Sequence, residues 1–369
     1  MRVAVLGAGG TIAPAIVRDL ASSDEVEAMT LLDLDLGRAE ATAEEHGDAK
    51  ATAEQVDASA TAGEPGSLAG ALADCEVLVN SASYRVNLDA MRAGLEAGCH
   101  YLDLGGLYWM TGRQLELDDD FRRAGLLAVL GIGSAPGKTN LMARVAAEQL
   151  GGRAEAIHVS AAGRDLDPPS GFSVPYALRT LIDELTMAPV VLRGGEPQEI
   201  EPLAAGGTVE FGEPIGAAGT IYTLHSEMHT FGPSFGCREG SFRLSLAPAL
   251  LERLRELASG SDDEIEAAAR SATPASSQTV SVHVVDAAAG TEAVRVRVVT
   301  PPHGEWGLGG GVVSTASPAA AAVRMLARGA IEARGVLPPE GCIDPREMFA
   351  ELEPSGARLE VETSEVVRA

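Results

Sequence analysis

Residues 1–20, MRVAVLGAGGTIAPAIVRDL, set the terms for the rest of the chain. A β-branched apolar run (Val3, Val5, Leu6) meets Gly7-Ala8-Gly9-Gly10, and apolar residues at helical spacing (Ile12, Ala15, Ile16, Leu20) follow at once, which predicts a strand, a tight turn and a helix. Such a join suits an anion, because glycines let the backbone approach a diphosphate while the free N–H groups and positive dipole end of the helix face it. Gly7 and Gly9 fill the first two positions of G-x-G-x-x-G, whereas the third holds Ile12, with Gly10 and Ala13 nearby as small residues. Thr11 and Ile12 open the helix. Residues 26–32 predict a second strand ending on Asp33, roughly 20 residues past the glycines, where a carboxylate accepts hydrogen bonds from ribose hydroxyls. Leu34 follows where an arginine would neutralise a 2′-phosphate, so NAD is the expected carrier; Arg38, one turn on, keeps NADP open.

Composition narrows the remaining classes. A chain of 369 residues is long enough for two domains, and 46% hydrophobic residues at a mean hydropathy of +0.08 describe a globular protein with no membrane span. The chain enters its first strand without a basic segment or cleavage site, which gives a cytoplasmic expectation. Fifty-three acidic residues against 28 basic ones leave a formal charge of −25, which argues against nucleic acid or an anionic membrane as partner. Lys50 and Lys138 are the only lysines. Cys75, Cys99, Cys237 and Cys342 lack metal-ligand spacing and are expected as reduced thiols.

Strands and helices then alternate. Residues 36–45 predict a helix, and a short strand ends near Asp57, a candidate for the adenine end of a cofactor; 63–66 form a loop, 68–72 a helix and 76–80 a buried strand. Ser81 and Ala82 lie just past that strand, where ligands of open α/β sheets sit. A helix over 87–97, a strand over 100–103, a helix over 114–124 and a strand over 126–130 complete a six-strand parallel alternation. The fold class is therefore α/β, a Rossmann-like doubly wound sheet over 1–132. A mixed α/β substrate domain over 133–314 is inserted before a C-terminal segment, 315–369, that returns to the first domain. Gly131 to Thr139 superficially resembles GxxxxGK[ST], but Gly131 stands six residues before Gly137, and the stretch reads better as a strand-to-helix crossing opening a helix over 139–149. In the second domain, 156–161 predict a strand, 175–185 and 247–257 helices, 260–263 a polar connection, and 279–285 with 293–299 an antiparallel pair. The apolar stretch 317–329 predicts a buried helix, and with the glycine-rich 307–311 it gives a homodimer as the expected assembly.

Several stretches together resemble the saccharopine dehydrogenase-like oxidoreductases, most closely the lysine 6-dehydrogenase branch. They are Gly7-Ala-Gly-Gly10 with Asp33; Val79-Asn80 through Tyr84 and Asn87; His100-Tyr-Leu-Asp-Leu-Gly-Gly106; Ala135-Pro136-Gly137 with Thr139-Asn140; and Gly335-Val-Leu-Pro-Pro-Glu340. The resemblance implies NAD(P)-dependent redox at a carbon bearing nitrogen, on saccharopine, lysine or a polyamine-like substrate. Saccharopine-forming members carry Asp where this chain has Ala135, and an apolar residue is usual where it has Lys138. Two other readings stay open: a reductase condensing an aldehyde with an amine, as carboxynorspermidine-forming relatives do, and a non-catalytic nucleotide-binding protein on the same fold.

Oxidising an amine requires a base within hydrogen-bond reach and a fixed group to hold the substrate. Asp103, at a strand end on the cofactor side, is the first candidate for base or amine anchor, with capping of the Gly105-Gly106 turn as its structural alternative. Tyr84 and His225 are the other catalytic candidates; Tyr108, Lys138 and Arg164 are candidate substrate contacts. His225 and His229 stand four apart, but the segment lacks HExxH and its flanking glycines argue against a helix, so no metal site is expected.

Overall fold

The computed structural model describes residues 1–60, 66–174 and 176–365. Contacts divide the chain into two units, Met1–Lys138 with Thr315–Leu352, and Thr139–Ser314 with Glu353–Ala369. The first crossing thus falls at 138/139; of the C-terminal segment, Thr315–Leu352 groups with the first unit and the stretch from Glu353 on with the second.

In chain order the first unit runs β1 (Arg2–Leu6), α1 (Ala13–Ala21), β2 (Ala28–Asp33), α2 (Leu36–His46), β3 (Ala51–Gln55), α3 (Leu68–Ala71), β4 (Val77–Asn80), α4 (Asn87–Ala97), β5 (His100–Asp103), α5 (Leu107–Leu115), α6 (Asp118–Ala124) and β6 (Leu127–Val129). The second contains α7 (Lys138–Gln149, whose first residue is counted with the first unit), β7 (Ala156–Asp165), β8 (Ser173–Val174), α8 (Leu178–Thr186), β9 (Val190–Arg193), β10 (Glu196–Glu199), β11 (Ala205–Glu210), β12 (Ala217–Tyr222), α9 (Glu227–Phe235), β13 (Glu239–Ser245), α10 (Pro248–Ala258), α11 (Asp262–Ser271), β14 (Thr273–Pro274), β15 (Thr279–Ala289) and β16 (Glu292–Thr300). Then follow α12 (Gly310–Ala327), β17 (Gly335–Leu337), α13 (Pro339–Cys342), α14 (Pro345–Leu352) and β18 (Arg358–Glu365).

The first unit is a seven-stranded sheet in the order β17-β6-β5-β4-β1-β2-β3, parallel throughout. It gains one strand over the sequence reading, because Gly335–Leu337 adds to β6. Its central strands are continuous apolar runs because helices cover both faces: all four residues of β4 are buried, as are Val3 to Leu6 of β1. Tyr101, Phe121 and Leu78 are among the core side chains. The second unit is a mixed nine-stranded sheet in which β13 and β7 run parallel and β15, β16 and β18 continue antiparallel.

Three helical stretches depart from expectation. The stretch predicted as one helix over 114–124 is two, α5 and α6, the first beginning at Leu107, directly after the Gly105-Gly106 turn. The polar connection after 260 is a helix, opened by a capping box in which Ser261 and Glu264 exchange hydrogen bonds. Residues 227–235 are helical despite the glycines, since Gly236 sits in the left-handed region that ends a helix. Expected structure at 61–65 and the start of the 175–185 helix at Pro175 lie outside the described residues. Among the described residues no helix is long and apolar enough to cross a membrane.

Candidate functional site

The glycine turn is shaped by close approach. Gly7 has φ +79°, and a Cβ there would lie 2.6 Å from the backbone N of Ala82, just past β4. The N–H groups of Gly7 and Ala8 donate to the Leu32 carbonyl at 2.8 and 3.1 Å, which fastens the turn to the end of β2. Ser81 donates through Oγ to the Leu6 carbonyl at 2.7 Å, and the Ala82 N–H donates to Asn80 Oδ1 at 3.0 Å. Strand ends β1, β2 and β4 are thereby locked side by side. Ile12, at the third glycine position, is the N-cap residue of α1 with an ordinary φ of −93°, so no glycine is required there. That N-terminus has no capping side chain, and Pro14 occupies its first turn. Its N–H groups are the kind of donors that a diphosphate satisfies.

Asp33 stands beside this turn. Its Oδ2 accepts from the Gly9 N–H at 2.8 Å and its Oδ1 from the Asp35 N–H at 3.0 Å. An ionised carboxylate has about four lone-pair positions, so two acceptor positions remain for ribose hydroxyls. Arg38 lies over Gly9, donating through Nη2 to the Gly9 carbonyl, with its Cβ 2.7 Å from where a Gly9 Cβ would be. Leu34 is 66% exposed. Thr11 is exposed at the mouth of the turn. Asp57 closes its own turn instead, its Oδ1 accepting from the Ser59 N–H and hydroxyl, bonds that lower its pKa.

Asp103 belongs to a buried polar cluster at the ends of β4 and β5. Its Oδ2 accepts from Gln114 Nε2 at 2.6 Å and Asn87 Nδ2 at 3.2 Å; its Oδ1 accepts from the backbone N–H groups of Gly131 at 2.7 Å and Gly105 at 2.9 Å. Burial raises its pKa above the usual carboxylate value, and these donors hold the rise back. Four donors fill the lone-pair positions of the carboxylate. The geometry therefore favours the capping role, extended to a second turn at Gly131, over that of a base. Tyr108 is buried and meets Trp109 edge-on, whereas Tyr84 is partly exposed with the Arg85 guanidinium 5.0 Å from its ring. Lys138 is buried, and burial lowers its pKa to about 7.

In the second unit His225 precedes α9 and stacks on Phe242 of β13, ring centroids 3.4 Å apart and 13° from parallel. Its Nδ1 lies 3.2 Å from Glu227 Oε2, while Glu227 Oε1 accepts from the Thr139 hydroxyl at 2.8 Å. Glu184 of α8 accepts from the Tyr176 hydroxyl, and its backbone carbonyl accepts from the Leu224 N–H at 3.3 Å. Burial works against a charge on His225, but the Glu227 and Glu184 carboxylates outweigh it and its pKa is raised. Glu184 is raised too, first by burial and then by Glu227 and Asp183. Glu227, Glu184 and Tyr176 escape sequence reasoning, because an acid two residues from a histidine, or 41 before it, has no signature in one chain. His229 lies inside α9 and His225 outside it, so the two do not share a helix face. Among the described residues no three His, Cys, Asp or Glu side chains could hold a metal. Arg164 stands apart from this cluster, its guanidinium donating to the carbonyls of Pro214 at 2.9 Å and Ile215 at 3.1 Å.

A glycine turn feeding an uncapped helix, with an acid at the end of the next parallel strand, defines a dinucleotide-binding sheet. Residues 3–129 match the family described as saccharopine dehydrogenase NADP binding domain. The whole chain is similar in fold to apo histidine-tagged saccharopine dehydrogenase (L-Glu forming) from Saccharomyces cerevisiae, at 15% identity and a TM-score of 0.71 over 98% of this chain and 99% of that one. It is also similar to a UDP-N-acetylglucosamine 3-dehydrogenase from Acidithiobacillus ferrooxidans, at 13% identity and a TM-score of 0.39 over 96% of each chain, a likeness too loose to carry an argument.

Proposed function

We propose that this chain is a nicotinamide-dependent oxidoreductase acting on the CH–NH or CH–NH₂ group of an amino acid or related amine. The observation that carries it is the Gly7–Gly10 turn before an uncapped α1, with the Asp33 carboxylate fixed on the Gly9 N–H. The likeness of 3–129 to an NADP-binding domain supports the carrier, and the lysine 6-dehydrogenase-like motifs support the substrate class.

The bound nicotinamide would supply the hydride acceptor. The chain supplies the rest: Gly7, Gly9 and Gly10 with the first residues of α1 hold the diphosphate, and Asp33 accepts from the ribose. A 2′-phosphate would meet the fixed negative charge of Asp33, and Arg38 is engaged by the Gly9 carbonyl, so NAD is the preferred carrier. In the second unit Glu227 holds His225 by Nδ1, leaving Nε2 as the atom that takes or returns a proton. Because His225 has a raised pKa, it becomes an acceptor only above the ordinary histidine range, and amine oxidation should quicken as pH rises through that value. Calorimetric titration with NAD⁺, NADH, NADP⁺ and NADPH tests the reading. Tighter binding of the NAD pair is expected, and no binding of any carrier at millimolar concentration sinks it.

A further inference from the structure

The glycine turn and Asp33 account for the adenosine and diphosphate of a dinucleotide and leave its nicotinamide half without a partner. From β1 the sheet runs one way to β2 and β3, and the other way to β4, β5 and β6. With Asp33 at the end of β2 taking the adenosine ribose, a dinucleotide lying across the carboxyl ends of the strands extends its other half toward β4, β5 and β6. On that side stands Trp109, 51% exposed and the only aromatic among the large exposed hydrophobic side chains of the described residues.

Trp109 is held there by construction. It lies in the first turn of α5, which begins four residues after Asp103 closes β5 and packs against 84–86 at the end of β4. Tyr108 beside it is buried, its ring edge-on to the indole at a centroid distance of 4.7 Å and 83°. Leu107 takes φ +55°, a conformation a leucine adopts only when its surroundings impose it. The residue before it is pressed against the buried cluster: a Cβ on Gly106 would lie 2.5 Å from Gln114 Oε1, and Gln114 is itself bonded to Asp103. The buried cluster thus fixes where α5 starts and which side chain it presents outward.

We propose that Trp109 is the aromatic face on which the nicotinamide ring of the bound carrier rests, an inference that depends on the dinucleotide reading above. An indole is the strongest cation–π partner among side chains, and the oxidised nicotinamide ring is a flat cation. Packing on Trp109 holds the oxidised carrier more tightly than the reduced one.

The chain has two tryptophans, so Trp306→Phe leaves Trp109 as the only indole emitter. Oxidised nicotinamide does not absorb the emitted light, and quenching by NAD⁺ or NADP⁺ requires contact. The expected result is strong quenching of Trp109 by the carrier that binds calorimetrically, none by ADP, and an affinity for that carrier about fivefold weaker in Trp109→Ala with ADP affinity unchanged. Trp109→Phe should keep most of the affinity. The inference is overturned if the bound carrier quenches no more than ADP does, or if Trp109→Ala binds it like the unaltered protein. Absence of all calorimetric binding removes the dinucleotide reading along with it.

Discussion

Glu227 is the residue whose loss would tell most about the second unit. Buried with no exposure and bonded to both His225 and Thr139, it is the anion that lets a buried imidazole carry charge. Glu227→Gln should cost about 3 kcal/mol, since removing one partner of a buried pair strands the other, and urea titration measures it. The sign of its pH dependence follows from the raised His225 pKa. That stabilisation is full below the unfolded histidine value of about 6.5 and fades as pH climbs through the folded one; in Glu227→Gln this downward slope should vanish. Lys138 works the other way. Its folded pKa of about 7 lies below the unfolded value, so the unfolded chain binds the extra proton and stability rises from about pH 7 toward pH 10, by on the order of 4 kcal/mol. Lys138→Met should flatten that rise, and melting curves of the two variants across pH separate the opposing slopes.

At the scale of elements, Asp103 ties the ends of β5 and the 131 turn together. Asp103→Ala leaves two backbone N–H groups and two side-chain amides without their acceptor, and a loss of about 3 kcal/mol is expected, readable by denaturant titration. An Asp103→Asn protein that unfolds like the original while losing turnover would restore the carboxylate to the role of base. Gly7→Ala should cost a comparable amount, because it adds a left-handed φ to a 2.6 Å clash with Ala82. What the sequence made legible here was local. The β1 turn, Asp33 and the 87–97 and 100–103 elements follow from periodicity and punctuation within a few residues, and the structure shows α4 and β5 over those spans. What stayed hidden was set by partners far along the chain: that Asp103 is saturated by Asn87, Gln114 and Gly131, that Gly335–Leu337 adds a strand beside β6, and that His225 meets Glu227 and Thr139. A polar helix such as α11 was hidden for another reason. It buries only Ile265 and Ala268, too narrow a stripe to register as amphipathic.

For the whole molecule, a net charge of −25 is self-repulsive, and added salt screens it. The midpoint of thermal unfolding should rise by about 5 °C between 0.1 and 1 M KCl; a flat response would confine the acidic excess to composition. The route of the chain matters as well. It leaves the first unit after Lys138, comes back at Thr315 and departs again after Leu352, so each unit is assembled from two separate stretches. A fragment stopped before residue 315 would lack β17 and expose the flank of β6, and one begun at Thr139 would carry residues 315–352 without the rest of their unit. Neither half can be obtained by one cut, so limited proteolysis within either stretch should yield nicked but associated pieces rather than a free nucleotide-binding fragment.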